Sequence, residues 1–356
     1  MGAGIAQVAL EAGWQVRLHD PLAGAVDRAR DLIAAGLGRR AAKRGLYAAA
    51  AGRWIAGALG RLTAVPAANE TVFKADLVIE SIVEDLEAKR ALFATLDSAA
   101  APGTLLATNT SALAVTAIAE AAALRPERVL GLHFFNPAPV LALVEVVAGA
   151  RTAPSAIATA VRIVEAWGRT AVHSTDSPGF IVNRVNRPFT IEALRMVESG
   201  EARIEAIDDA MRGDGFPMGP FELMDLVGLD VNLAAATSVW EGLARPDRLR
   251  PSGIQSWLVT NGRLGRKAGL GFYSYAPGQN PALAPLPRRL ARPVRSVPLD
   301  RAQIACRIRS AVATEAALAM VAGVASEGDI DTALRLGAAH PEGPFAWARR
   351  EAITRT

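Results

Sequence analysis

His133 and Glu145 are the two side chains whose types and spacing most directly suggest chemistry. The histidine lies in Gly131-Leu132-His133-Phe134-Phe135-Asn136-Pro137, at the end of an apolar, strand-like run. The carboxylate stands twelve residues later, inside Leu143-Val144-Glu145-Val146-Val147. Antiparallel or neighbouring strands joined by a Pro-containing turn can bring the two together. A carboxylate that accepts an imidazole N–H fixes the tautomer and supports the imidazolium, as a general base requires. The same two residues also fit a core histidine beside a surface glutamate, and the pair alone does not choose between these readings.

The elements that would position them alternate over the first 175 or so residues. Gly4 to Ala12 reads as a small-residue helix, Trp14 to His19 as a strand ending at Asp20, and residues 23–60 as helical. Leu77 to Ile82 is an apolar strand and Glu84 to Leu96 a charged helix. Leu105 to Thr108 is a strand, followed by Asn109-Thr110-Ser111 and a helix to about Ala123. Val129 to Phe134 and Leu143 to Val147 are strands, Pro154 to Trp167 is a helix, and Thr170 to His173 is a last short strand. Such alternation predicts an α/β fold with a parallel sheet covered by helices on both faces.

From Ser177 onward only helical periodicity remains. A Pro-rich stretch near Pro277 to Pro298 interrupts it. Glu192-Ala193-Leu194, Ile207-Asp208, Ala210, Arg212 and Pro217-Met218-Gly219-Pro220-Phe221 recur as Glu315-Ala316-Ala317, Ile330-Asp331, Ala333, Arg335 and Pro341-Glu342-Gly343-Pro344-Phe345. The expected organisation is a strand–helix domain over 1–176, a first helical domain over 177–276, a linker over 277–298 and a second, partial helical repeat over 299–356. In the repeat register Asn183 falls on Cys306, so the second copy lacks that amide and reads as structural, an internal pseudo-partner of the first; a homodimer is the other expectation.

These motifs resemble the L-3-hydroxyacyl-CoA dehydrogenase family, in particular bacterial members with two copies of the C-terminal helical domain that act on 3-hydroxybutyryl-CoA or 3-hydroxyadipyl-CoA. The likeness rests on Gly2-Ala3-Gly4-Ile5-Ala6-Gln7, Glu80-Ser81-Ile82-Val83-Glu84 with Lys89, Thr108-Asn109-Thr110-Ser111, the His133 motif, Asp176-Ser177-Pro178-Gly179-Phe180-Ile181-Val182-Asn183-Arg184, Phe216-Pro217-Met218-Gly219-Pro220-Phe221 and Gly269-Leu270-Gly271-Phe272-Tyr273. It implies NAD-linked oxidation of a (3S)-3-hydroxyacyl-CoA to the 3-ketoacyl-CoA, as in fatty-acid β-oxidation. His133 matches the base and Glu145 its orienting carboxylate. Ser111 and Asn183 match residues that hold the substrate oxygen and the imidazole.

For the cofactor, the resemblance points to Gly2 in the fingerprint turn and to Glu84, Lys89 and Asn109. Asp20, at the end of a strand, would accept the ribose hydroxyls and favour NAD over NADP. Plainer readings stand beside these. Ser111 could cap a helix beginning near Ala112, Asn183 could be an ordinary polar residue near a helix start, and Glu84 with Lys89 could be a pair on a solvated helix.

The sequence begins at the Met of the family's Gly-x-Gly-x-Met-Gly-x-Gly fingerprint, so Gly2 is its third glycine. The expectation is a Rossmann-like doubly wound sheet lacking its first strand, through a start assigned at an internal Met or through decay. The alternative function is accordingly a catalytically impaired relic or binding protein of the same family.

Composition narrows the partners. Half of the 356 residues are apolar, enough for a sizeable core in each domain. All but four of the 39 basic residues are arginine, no basic block of five occurs, and the formal charge is +4, which suits an anionic small ligand better than nucleic acid. One cysteine, Cys306, excludes an internal disulfide framework and a Cys-based zinc site, so no metal is expected. No apolar run of membrane-spanning length and no signal-peptide pattern are read, and the expected location is the cytoplasm.

Overall fold

Val129–Phe134 is buried along its whole length, and Leu143–Ala148 over all but its last residue. Such runs form strands covered on both faces, and they lie at the middle of the main sheet. The computed structural model describes residues 1–294 and 296–354. Arg295, inside the expected linker, and Arg355 and Thr356, at the end of the expected second repeat, lie outside the described residues. The chain divides into two units, Met1–Ser177 and Pro178–Thr356.

The first unit runs α1 (Gly2–Glu11), β1 (Val16–Leu18), α2 (Ala25–Lys43), α3 (Ala48–Leu59), β2 (Leu62–Ala64), β3 (Leu77–Glu80), α4 (Leu86–Ala99), β4 (Leu105–Thr108), α5 (Val115–Ala119), β5 (Val129–Phe134), β6 (Leu143–Ala148), α6 (Pro154–Ala166) and β7 (Thr170–Thr175). Five strands pair in the order β3-β4-β5-β6-β7, and β1 and β2 form a separate parallel pair. One face of the large sheet packs Leu105, Leu130, Leu132, Val144 and Val146 against Ile5 and Val8 of α1 and against α6. The opposite face packs Leu106 and Val129 against Phe93 of α4 and Ile118 of α5. Through Ala6 and Leu10, α1 also packs on Ile33 and Leu37 of α2.

The sheet is parallel except at one pair: β5 and β6 are antiparallel, while the other pairs are parallel. A turn through the cis Asn136–Pro137 bond joins them with no crossover helix, and strands joined so closely can only run antiparallel. The helical stretch 23–60 is two helices, broken where Gly45 takes φ 68°. Strand β2 was not expected; of its three residues only Leu62 is buried, which leaves no periodic signal.

The second unit contains α7 (Val182–Val185), α8 (Arg187–Glu198), α9 (Ile204–Gly213), α10 (Pro220–Val227), α11 (Leu229–Gly242), α12 (Gly253–Thr260), β8 (Tyr273–Ser274), β9 (Ala282–Leu283), α13 (Arg301–Val321), α14 (Glu327–Gly337) and α15 (Pro344–Thr354). Strand β9 lies within the expected linker and pairs antiparallel with β8. Past the linker, Asp300 starts α13 with a reciprocal cap: its carboxylate accepts from the Gln303 amide at 2.8 Å, and the Gln303 side chain accepts from the Asp300 amide at 3.0 Å.

The Pro-x-Gly-Pro-Phe repeat has one physical cause in both copies. Asp208 of α9 accepts from the Phe221 amide at the start of α10 (2.9 Å), and Asp331 of α14 accepts from the Phe345 amide at the start of α15 (2.8 Å). Each carboxylate sits so close to the preceding glycine that a Cβ on Gly219 would lie 2.2 Å from Asp208 Oδ1, and one on Gly343 would lie 2.1 Å from Asp331 Cγ. Only glycine admits this cap.

Candidate active site

Antiparallel pairing sets His133 directly opposite Glu145, so the two side chains leave the same face of the sheet. His133 Nδ1 and Glu145 Oε2 are 2.6 Å apart, and both residues are buried. Because the carboxylate accepts the Nδ1 hydrogen, the neutral ring carries its lone pair on Nε2. The ring of Phe135 lies 4.5 Å away, centroid to centroid. Gly131, two residues before His133 on the same face, lets α5 approach: a Cβ there would lie 2.9 Å from Val147 and 3.0 Å from Val115.

Loops leaving the carboxyl ends of β3 and β4 flank this pair, at the edge where open α/β sheets bind their ligands. A buried carboxylate that the motif reading did not single out, Glu80, ties them together. Its Oε1 accepts from Lys89 Nζ (2.7 Å) and the Ile82 amide (2.6 Å), and its Oε2 accepts from the Thr108 hydroxyl (2.7 Å). Lys89 is therefore 1% exposed and committed to Glu80, with Glu84 Oε2 at 3.3 Å. The reading of Glu84 and Lys89 as a pair on a solvated helix is corrected: Lys89 is buried on α4, while Glu84 is exposed in the loop before it, and together they brace two loops.

Glu84 Oε1 in turn accepts from the Thr110 hydroxyl and from the Ser111 and Ala112 amides, the last two at 2.8 and 3.0 Å. Burial pushes the Glu84 carboxyl up, but the Thr110 hydroxyl, the two amides and the Lys89 charge together hold it below the ordinary value. This fixes the backbone at Ser111, an exposed residue.

Ser111 does not open a helix near Ala112. Helix α5 begins at Val115, and its first amides are capped from far along the chain: Asp176 accepts from Val115 N (3.0 Å) and Thr116 N (2.7 Å). The signal was present in the Asp176-Ser177-Pro178-Gly179 motif, but nothing local to it names the helix it caps. Asn109 bridges to β5, its side-chain oxygen accepting from the Phe134 amide at 2.9 Å.

The groups expected to hold a dinucleotide fit one. Gly2 opens α1 beside the loop after β3, with only Ser81 Cβ within 4 Å of where its own Cβ would stand, so backbone there is open to close approach. A helix start of this kind suits a pyrophosphate. Asp20 follows β1 with an exposed carboxylate, its Oδ1 accepting from the Leu22 amide at 2.9 Å. Among the described residues no cluster of three His, Cys, Asp or Glu side chains is placed to hold a metal ion.

Asn183 belongs to the second unit. It is half-buried on the four-residue helix α7 and is followed by two buried arginines: Arg184 is 4% exposed and Arg187 is 7% exposed. Arg187 Nε donates to the Asn183 carbonyl at 3.2 Å.

Two family patterns match the chain: "3-hydroxyacyl-CoA dehydrogenase, NAD binding domain" over residues 1–177, and "3-hydroxyacyl-CoA dehydrogenase, C-terminal domain" over residues 179–275. The 3-hydroxyadipyl-CoA dehydrogenase of Escherichia coli K12 is 41% identical, over 98% of this chain and 88% of the relative. The human mitochondrial hydroxyacyl-coenzyme A dehydrogenase is also 41% identical, over 77% of this chain and 88% of the relative. Among solved structures, a 3-hydroxybutyryl-CoA dehydrogenase from Escherichia coli K12 superposes with a TM-score of 0.87 at 39% identity, covering 98% of this chain and 89% of that one.

Proposed function

Because the chain belongs to the 3-hydroxyacyl-CoA dehydrogenase family of NAD-dependent oxidoreductases, we propose that it oxidises a (3S)-3-hydroxyacyl-CoA to the 3-ketoacyl-CoA with His133 as general base. NAD, when bound, supplies the hydride acceptor. His133 Nε2 takes the hydroxyl proton while the C3 hydride departs. Glu145 holds the ring in that tautomer and balances the imidazolium that forms. Ser111 and Asn183 hold the substrate oxygen with neutral donors, which stabilise developing alkoxide charge. Asp20 accepts the adenosine ribose hydroxyls, with Gly2 and Asn109 as further cofactor contacts; Glu84 and Lys89 serve the cofactor side by bracing the loops. The relatives' names support a short or dicarboxylic acyl chain.

One observation carries the reading: the 2.6 Å His133–Glu145 contact in a buried pair of strands. Oxidation of NADH by acetoacetyl-CoA tests it. His133→Gln lowers kcat by about 10²–10⁴-fold with NADH affinity unchanged, and Glu145→Gln lowers kcat with it. Near-full turnover by either variant refutes the assignment. Among the described residues no single helix is long and apolar enough to cross a membrane, and we place the activity in the cytoplasm.

A further inference from the structure

The two helical copies exchange a mirrored pair of contacts. In the repeat register Arg184 corresponds to Arg307 and Glu192 to Glu315. Arg184 Nε donates to Glu315 Oε1 at 2.8 Å, and Arg307 Nε donates to Glu192 Oε2 at 3.0 Å. Each copy thus gives the other the same arginine and takes the same glutamate, the pattern of a two-fold interface inside one chain.

The two arms end in different places. Arg307, whose Nη1 also reaches Glu201 at 2.5 Å, ties α13 to α8 and the turn after it. Arg184 lies on α7, immediately after Asn183. Glu315, 1% exposed, holds Arg184 and also accepts from Arg248 Nε at 2.7 Å. A second contact reaches the other end of the same turn: His340 Nε2 donates to Asn186 Oδ1 at 2.8 Å. His340 is buried against Phe216 and Phe189, with ring centroids 4.8 and 5.9 Å away. The second copy therefore grips two residues that directly follow Asn183, Arg184 on α7 and Asn186 at its C-terminal end. A four-residue helix has almost no internal hydrogen bonding to hold its own orientation. At the mirrored position stands Cys306, on the 21-residue α13, which needs no such support.

We propose that Glu315 and His340 are positioning residues for the reaction, fixing helix α7 so that the Asn183 amide is presented in one orientation. The second copy, which carries Cys306 in place of that amide, serves turnover through these two side chains. This rests on the assignment of Asn183 above.

A double-mutant cycle on the full chain tests it. Glu315→Gln and His340→Ala each lower kcat with acetoacetyl-CoA by about 10-fold, with KM for NADH unchanged. His340→Gln, which keeps a donor for Asn186, stays within about 3-fold of the parent. Arg307→Ala, which breaks only the mirrored arm, lowers the melting temperature without lowering kcat. In an Asn183→Ala background the effects of Glu315→Gln and His340→Ala shrink to within about 2-fold, because the amide they orient is gone. Equal losses in both backgrounds, or unchanged kcat in the single variants, overturn the proposal. Full activity of Asn183→Ala alone overturns the assignment it rests on, and the two failures are told apart by that one variant.

Discussion

His340 makes the second unit sensitive to acid in a way that can be isolated. Burial, with the Arg309 charge as a smaller contribution, pushes its imidazole from the ordinary 6.5 down to about 3. Between those values the unfolded chain binds a proton that the folded chain refuses. Stability therefore falls as pH drops from 6.5 toward 3, and this contribution is fully present only above the unfolded value. One titrating group with these two pKa values costs about 2 kcal/mol of unfolding free energy at pH 5 relative to pH 7.5.

His340→Gln removes the titration and keeps the donor to Asn186. Urea unfolding of parent and variant at pH 7.5 and pH 5 yields the difference of differences, in which every other titrating group cancels. The variant gains about 2 kcal/mol on the parent over that interval. The chain has only four histidines, so their ring resonances can be followed one by one in NMR, and His340 stays neutral through pH 5. A His340 resonance titrating near 6.5, or a stability difference independent of pH, refutes the reasoning.

Lys89→Met strands the buried Glu80 carboxylate and destabilises the first unit by about 3–5 kcal/mol; adding Glu80→Gln restores most of it, as urea midpoints of the single and double variants show. Gly219→Ala and Gly343→Ala each force a Cβ into the capping aspartate and cost at least about 1–3 kcal/mol, read as a drop in melting temperature, with circular dichroism at low temperature reporting whether the fold survives.

What the sequence made legible was what its local pattern encodes. Leu105–Thr108 and Val129–Phe134 match their expected bounds, because an unbroken aliphatic run between turn residues has few other uses. The contact of His133 with Glu145 was readable because a short Pro-containing turn leaves two adjacent strands little choice but to pair. The Pro-x-Gly-Pro-Phe repeat announced a duplicated module for the same reason: its glycine and its aspartate answer each other within fourteen residues.

What stayed hidden depended on partners far along the chain. Glu80 reads as the polar end of a strand, and only Lys89 of α4 and Thr108 of β4 turn it into a buried brace. Asp176 caps α5 across 61 residues. The exchange of Arg184–Glu315 for Arg307–Glu192 needed two distant segments to meet in one register. In each case the residue type signalled that a partner was required, since a carboxylate or guanidinium leaves water only when its charge is met. The identity of that partner is a property of the topology. A lysine five residues from Glu84 likewise carries no mark of every carboxylate it will serve, and the fold sets Lys89 Nζ 2.7 Å from Glu80 as well as 3.3 Å from Glu84.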